Sequence, residues 1–256
     1  MSAGKPGAHG RIVFWPGGSI WIGRAEGAID FHAHHAVQIT LALPGSRVRF
    51  REPGGEWQTH DAALVPANLS HAMDAAGQQV ALVFAEPESL DGRAIHLRYR
   101  GAGVCRLARE PLAAEVEQLA AAYGNRQPDP MLVDLARRTI AALAGNAPRP
   151  DAPLDARIAR AIELVREHLD RTVRLRDAAD AAGLSPDRFR HLFIEQTGVR
   201  FRPYVLWQRM ERAVAEYAAG ATLTEAAYAG GFADSAHFSR TFRRMFGLPA
   251  AALRIG

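Results

Sequence analysis

The sequence predicts an α+β protein: a small β-barrel followed by a helical pair, then an all-α domain with two helix-turn-helix units. Three observations predict it. Short apolar runs separated by glycine and proline turns fill residues 11 to 100. A proline-rich break, Gly145-Asn-Ala-Pro-Arg-Pro-Asp-Ala-Pro153, interrupts helical periodicity on both sides. Beyond it, one pattern of small residue, glycine and aromatic stripe occurs twice.

Taken in order, the expected strands are Arg11 to Trp15, Ser19 to Ile22, Val37 to Leu43, Arg47 to Arg51, Ala62 to Val65 and Gln79 to Phe84. Pro16-Gly-Gly, Pro44-Gly and Pro53-Gly-Gly read as the turns between them. Strands this short and this closely spaced suit a barrel or sandwich. Two helices follow, over 111–123 and 130–143. Leu112, Val116 and Leu119 make the stripe of the first, and Leu132, Leu135, Thr139 and Leu143 that of the second. The expected division is therefore 1–144, a linker over 145–153, and 154–256.

The duplicated pattern is the most informative part of the chain. Its first copy runs from Leu175 through Gly183 and Phe193 to Gly198, and its second from Leu223 through Gly231 and Phe242 to Gly247. Ala179 and Ala227 are small enough for two helices to cross closely, and the glycine four residues later supplies the positive φ of a tight turn. Ser185 followed by Pro186 caps the next helix, and Asp234 or Ser235 caps its counterpart. On the first of these helices Phe189, Leu192, Phe193 and Gln196 share the inner side, opposite Asp187, Arg190, His191 and Ile194. On the second, Phe238, Thr241, Phe242 and Met245 form the inner stripe. Ala236, Arg240, Arg243 and Arg244 point outward, with His237 and Ser239 on the flanks. Two arginine-bearing helices of this kind fit DNA major grooves. The candidate DNA-contacting residues are Asp187, Arg188, Arg190, His191, Ser235, Ala236, Ser239, Arg240 and Arg243.

Charge agrees with that partner. The chain carries 31 Lys+Arg and 27 Asp+Glu. Residues 154–256 hold 16 and 12 of these, so the whole excess lies there, while the first 153 residues balance. A basic domain seeks an acidic partner such as double-stranded DNA. The single cysteine, Cys105, excludes an intrachain disulfide framework and points to a reducing compartment. The first ten residues lack the apolar core of a secretion signal, and no apolar run is long enough to span a bilayer. A cytoplasmic protein without a membrane partner is expected. Gly101-Ala-Gly103 lacks the third glycine of a nucleotide fingerprint, and no carboxylate pair or Ser-His-Asp order suggests an enzyme.

Residues 154–256 resemble the DNA-binding domain of AraC/XylS-type bacterial transcription regulators, in which one long helix joins two helix-turn-helix units. Phe201-Arg-Pro-Tyr-Val-Leu-Trp-Gln-Arg-Met-Glu-Arg-Ala-Val-Ala-Glu-Tyr217 is the matching joining helix, and Ala227, Gly231, Phe232, Phe238, Arg240, Phe242 and Gly247 follow the family signature. The chain departs from the pattern near its end. Where the family has a proline and an aromatic residue this chain has Ala250 and Leu253, with Pro249 one position early. The resemblance implies sequence-specific DNA binding with base contacts from Arg190 and Arg240, a small-molecule effector held by residues 1–144, and a homodimer formed through the helical pair.

Within the expected barrel, Phe31-His-Ala-His-His-Ala-Val-Gln38 and Leu64-Val-Pro-Ala-Asn-Leu-Ser-His71 are similar to cupin motifs, so the first domain is expected to be cupin-like. Alternation on a strand would aim His32, His34 and Gln38 together and His35 the other way. Carried over from metal-binding cupins, the ligand positions are His32, His34, Gln38 and His71. Gln38 stands where those proteins have glutamate, which removes an anionic ligand and weakens a site for a hard divalent cation, while three imidazoles still suit zinc, iron, nickel or copper. The same four residues are the candidate effector contacts. The alternative reading is a cupin-type metalloenzyme, a dioxygenase or isomerase, with an appended DNA-binding domain.

Overall fold

The computed structural model describes residues 6–145 and 154–256. They form two compact units. One holds the described residues up to 145 together with Phe242–Gly256, and the other those from 154 to Thr241. Most of the break at 145–153 therefore lies outside the described residues.

The first unit begins with nine strands: β1 (Gly7–Trp15), β2 (Gly18–Glu26), β3 (Ala28–His32), β4 (Val37–Ala42), β5 (Val48–Arg51), β6 (Gln58–His60), β7 (Ala62–Val65), β8 (His71–Asp74) and β9 (Gln79–Ala85). After α1 (Leu90–Tyr99) come β10 (Cys105–Arg106), α2 (Ala113–Gly124) and α3 (Asp129–Ala144). The chain's last strand, β11 (Leu253–Ile255), also belongs here. One sheet has the order β10-β7-β4-β9-β2-β1-β11 and the other β3-β8-β5-β6. All pairings are antiparallel except β1 with β11, which makes the larger sheet mixed. Both sheets are open, and no closed barrel forms among the described residues.

Pairing register sorts the larger sheet into two faces. Ile39 lies opposite Val83 and Leu64, and Ile22 opposite Ala81. Residues directly opposite on antiparallel strands share a face, and this set packs with Leu112, Val116, Leu119, Leu132, Leu135, Ala136 and Ile140 into one buried cluster. Each Leu, Ile or Val in such a cluster contributes about 1.5–3 kcal/mol by leaving water. The other face carries Ser19, Trp21, Gln38, Thr40, Leu82 and Phe84. It meets the smaller sheet, since the Gln38 amide nitrogen reaches Met73 Sδ on β8 at 3.8 Å.

Several elements differ from the sequence expectation. β3, β6, β8 and β11 are three to five residues long, too short to show alternation. The segment from Phe31 to Gln38 is not one strand, because the pairing ends at His32 and resumes at Val37. Helix α1 has almost no amphipathic stripe, with Ile95 fully buried while Leu90 and Leu97 stand exposed. It is started instead by Ser89, whose hydroxyl accepts from Gly92 N–H at 2.9 Å. The two expected helices form within two residues of their expected limits, with a 3₁₀ turn over Glu110–Leu112 ahead of α2.

The second unit is helical: α4 (Ala156–Glu167), α5 (Leu175–Ala182), α6 (Pro186–Thr197), α7 (Phe201–Ala218), α8 (Leu223–Ala229) and the start of α9 (Ser235–Phe246). Its core joins Ile158, Ile162 and Val165 of α4 to Ala178, Ala179 and Ala182 of α5 and to Phe189 and Phe193 of α6. Phe193 meets Phe201 edge-on with ring centres 5.4 Å apart and Tyr204 at 5.2 Å, the geometry favoured by ring quadrupoles. Both turn glycines adopt the left-handed region, Gly183 at φ 66° and Gly231 at φ 71°.

The two glycines differ in their surroundings. A Cβ on Gly183 would meet open space, whereas one on Gly231 would lie 2.1 Å from the Leu169 carbonyl oxygen. Gly183→Ala is therefore expected to cost only the left-handed penalty, roughly 1–2 kcal/mol. Gly231→Ala should cost clearly more, because the chain must also move away from the segment that follows α4. Urea unfolding of the full-length variants checks the order, and equal losses would disprove the close approach at Gly231.

Candidate effector site and DNA-reading helices

The break between β3 and β4 shapes the histidine cluster. His32 closes β3, His34 lies in the break, and His71 opens β8 directly opposite His32 in the register. All three are buried, and each can offer a nitrogen such that the three atoms lie within 4.8 Å of one another. Each ring is anchored in the same way. The Nδ1 atoms of His32, His34 and His71 lie 2.8–2.9 Å from the carbonyl oxygens of Asp30, Ala36 and Leu69. A carbonyl can only accept, so Nδ1 carries the proton in His32 and His71 and Nε2 keeps its lone pair there, while His34 meets an oxygen at each ring nitrogen, the Ala36 carbonyl and Gln38 Oε1.

Burial pushes all three below the usual imidazole range, with His32 reaching about 3, and a neighbouring histidine adds to the effect in each case, His34 beside His32, His32 and His34 beside His71, and His35 beside His34. Three neutral imidazoles with Nδ1 tied to the backbone are the donor set that a divalent transition metal takes, so the cluster can hold one. Nitrogens bound tetrahedrally to zinc at 2.0–2.1 Å stand about 3.4 Å apart, so the rings would close by up to an ångström or so.

Gln38 takes a different position from the one expected of a ligand. Its amide lies 2.9 Å from His34 Nε2 and 2.8 Å from the Thr40 hydroxyl. The contact brings Gln38 Oε1 to His34 Nε2, and the Gln38 amide nitrogen donates to the Thr40 hydroxyl. Gln38 thus orients His34, and a metal using His34 Nε2 would displace that amide. His35 points away from the cluster, as alternation predicts, onto Glu88 at 2.8 Å. Burial opposes charge on His35, but the Glu88 carboxylate and its hydrogen bond outweigh it and raise the ring above its usual range. Glu88 is remote in sequence, and no motif marked it.

Beside the cluster lies a cavity of about 70 Å³ with largely apolar walls. Trp21, Leu82 and Phe84 line it from the larger sheet, and His32 and Gln38 form its polar end. Phe246, Leu248 and Leu253 complete the wall. Sequence reasoning missed these last three, because they follow the helix-turn-helix pattern in the chain and carry no signal of a pocket.

On the helical side, α6 is capped as expected. Ser185 Oγ accepts from Arg188 N–H at 3.4 Å and Pro186 occupies the first turn. Asp234 caps α9 by accepting from His237 N–H at 2.6 Å. Asp187, Arg188, Arg190 and His191 are exposed on α6, as are Ala236, Arg240 and Arg243 on α9, with Ser235 and Ser239 half-buried. Arg190 pairs with Asp187 at 2.6 Å and His191 Nδ1 donates to the Asp187 carbonyl at 2.8 Å. Met245 is half-buried, and the next residue, Phe246, takes the inner position instead. None of the described helices is long and apolar enough to cross a membrane.

Residues 178–255 match the protein family described as Helix-turn-helix domain. Among solved structures the chain is similar to ToxT from Vibrio cholerae O395, at 12% identity and TM-score 0.57, over 97% of this chain and 95% of that one. Wild-type ToxT from Vibrio cholerae strain SCE256 with bound unsaturated fatty acid matches at 13% identity and TM-score 0.56, over 96% and 92%. An AraC-type regulator from Chromobacterium violaceum is 25% identical over 34% of this chain and 80% of that one, with TM-score 0.33. No curated protein matches the chain. A mixed-sheet unit is followed by an all-α unit with helix-turn-helix elements, and the helix-turn-helix domain is shown over residues 178–255. The likeness to ToxT is a likeness of fold.

The Gln38–Thr40 contact is testable on its own. Thr40 is fully buried, so Thr40→Val leaves a buried amide group without its partner, at an expected cost of about 1–3 kcal/mol. Denaturant unfolding of the full-length variant measures it. Unchanged stability would show that Gln38 does not depend on Thr40.

Proposed function

We propose that the protein binds a promoter as a regulator whose cupin-like sensing domain, residues 1–144, is joined by the linker 145–153 to a DNA-binding domain, residues 154–256. The single observation that carries this reading is the repeated helix-turn-helix with an exposed polar face on each second helix. In it, α6 and α9 enter successive major grooves. Asp187, Arg188, Arg190 and His191 form the reading edge of one helix, and Ser235, Ala236, Ser239, Arg240 and Arg243 that of the other. The Asp187–Arg190 pair supports a specific role, since a carboxylate beside a guanidinium holds the fork in the plane needed for bidentate contact with guanine. Helices α2 and α3 serve as the seam of a homodimer.

The effector reading rests on the pocket. Its apolar walls and polar end suit an organic acid with an apolar body, and the ToxT structure with bound unsaturated fatty acid is in keeping with that class. His32, His34, Gln38 and His71 meet the polar end of this ligand, either directly through Nε2 atoms or through a divalent metal held by the three histidines. A metal there would supply a Lewis-acidic anchor for the acid.

Replacing Arg190 or Arg240 with alanine is expected to cost about 1–3 kcal/mol of operator affinity and to relax selectivity at particular base pairs. The two affected positions should lie about one helical turn of DNA apart. Titration against operator variants reads this, and uniform weakening on every sequence would reassign both arginines to phosphates.

For the sensing domain, His34→Ala and His71→Ala should abolish the response to effector while operator affinity in its absence stays unchanged. An induction assay paired with DNA titration of the full-length variants measures both. Normal induction in both variants would leave the histidines as structural residues.

A further inference from the structure

We propose that the C-terminal segment Leu248–Ile255 is the movable wall of the apolar pocket, and that an effector enters by parting β11 from β1. This rests on the effector reading above. The pocket and the segment lie within one compact unit, because the residues from Phe242 onward belong with the sheets.

A cavity of about 70 Å³ is half the ~150 Å³ that accommodates a benzene molecule. A space of that volume takes in the whole apolar body of an organic acid only if a wall moves. Most of the walls are held by long ladders. β1 and β2 pair at nine positions and β2 and β9 at seven, and the opposite face of this sheet is sealed by the core under α2 and α3.

By contrast, β11 pairs with β1 at three positions only, Ala8–Leu253, His9–Arg254 and Gly10–Ile255, at the very edge of the sheet. Parallel pairing is also slightly less stable per residue than antiparallel pairing. Releasing this strand uncovers Leu248 and Leu253, a loss that the apolar body of an effector offsets by covering Trp21, Leu82 and Phe84 in their place.

The same segment is tied to the end of α9. At Gly247, φ is +72°, and a Cβ there would lie 2.4 Å from Ile29 Cγ2, 2.5 Å from the Asp30 carbonyl oxygen and 2.8 Å from His32 Nδ1. The chain thus passes directly over the carbonyl that fixes the His32 ring. Phe246, the last residue of α9, packs on Trp21 with ring centres 4.8 Å apart and lies 6.3 Å from the His34 ring. Opening the wall therefore loosens the last turn of a DNA-reading helix, which gives pocket occupancy a route to DNA affinity.

A reversible tether tests the proposal in the full chain. His9 and Arg254 are register partners and both exposed, so His9→Cys with Arg254→Cys, in a Cys105→Ser background, should lock β11 by a disulfide and release it on reduction. Anilinonaphthalene sulfonate, an apolar aromatic anion, serves as the probe. The reduced form is expected to bind the probe, lose amide protection over 253–255 and change its DNA affinity. The oxidised form should bind the probe about tenfold more weakly or worse, equivalent to about 1.4 kcal/mol. Equal binding in both redox states, or full protection of β11 with probe bound, would overturn the moving wall alone. If the probe fails to bind any form, a variant lacking residues 253–256 included, both the apolar-acid pocket and the moving wall are overturned.

Discussion

Alternation along β4 is the constraint on which the first unit depends. All six residues from Val37 to Ala42 are buried, yet they serve two purposes. Val37, Ile39 and Leu41 enter the core beneath the helices, while Gln38 and Thr40 face the smaller sheet and the histidines. Because the side-chain period of a strand is two, a slip of one residue would put an amide in the core and isoleucine against His34. The long ladders to β7 and β9 make that slip costly. The polar face is also kept chemically consistent. Burial holds all three imidazoles neutral, so burying them together adds no charge, and the ring nitrogens not tied to the backbone define what the site can bind.

A different constraint governs the helical unit. Helices α5 and α8 are eight and seven residues long, too short to be stable alone. They hold because alanines at Ala178, Ala179, Ala226 and Ala227 are fully buried against their neighbours and because a left-handed glycine turns each chain sharply into the next helix. With the inner side of α6 occupied by Phe189, Leu192 and Phe193, its outer side is left to residues that contribute nothing to the core. The arginines there are thus available for recognition without a penalty in folding.

The helical half was largely legible in the sequence because its signals are local. Glycine, cap and stripe fall within twenty residues of one another and repeat. The two helices of the first unit were legible for the same reason, through the stripes from Leu112 to Leu119 and from Leu132 to Leu143. The sheets were less so. β8 holds only His71–Asp74, and its place beside β3 and β5 depends on pairing with residues more than twenty positions away. The grouping of His32, His34 and His71 was readable through the resemblance to cupin motifs, but the turn of Gln38 onto His34 was not, since it follows from where the chain breaks between β3 and β4. Glu88 shows the same limit, as its contact with His35 joins residues 53 positions apart.

The clearest divergence from the family pattern is also where structure adds most. Pro249 comes one position early and precedes a 3₁₀ turn over Ala250–Ala252. That turn aligns Leu253–Ile255 with β1, and Leu253 is buried where the family carries an aromatic residue. A bulkier ring at this position would have to share the space held by Leu248 and the walls of a cavity of only about 70 Å³. The departure at the end of the DNA-binding pattern is therefore matched to the sheet of the first unit, where a short strand and a small apolar side chain let one segment finish a helix and close a pocket.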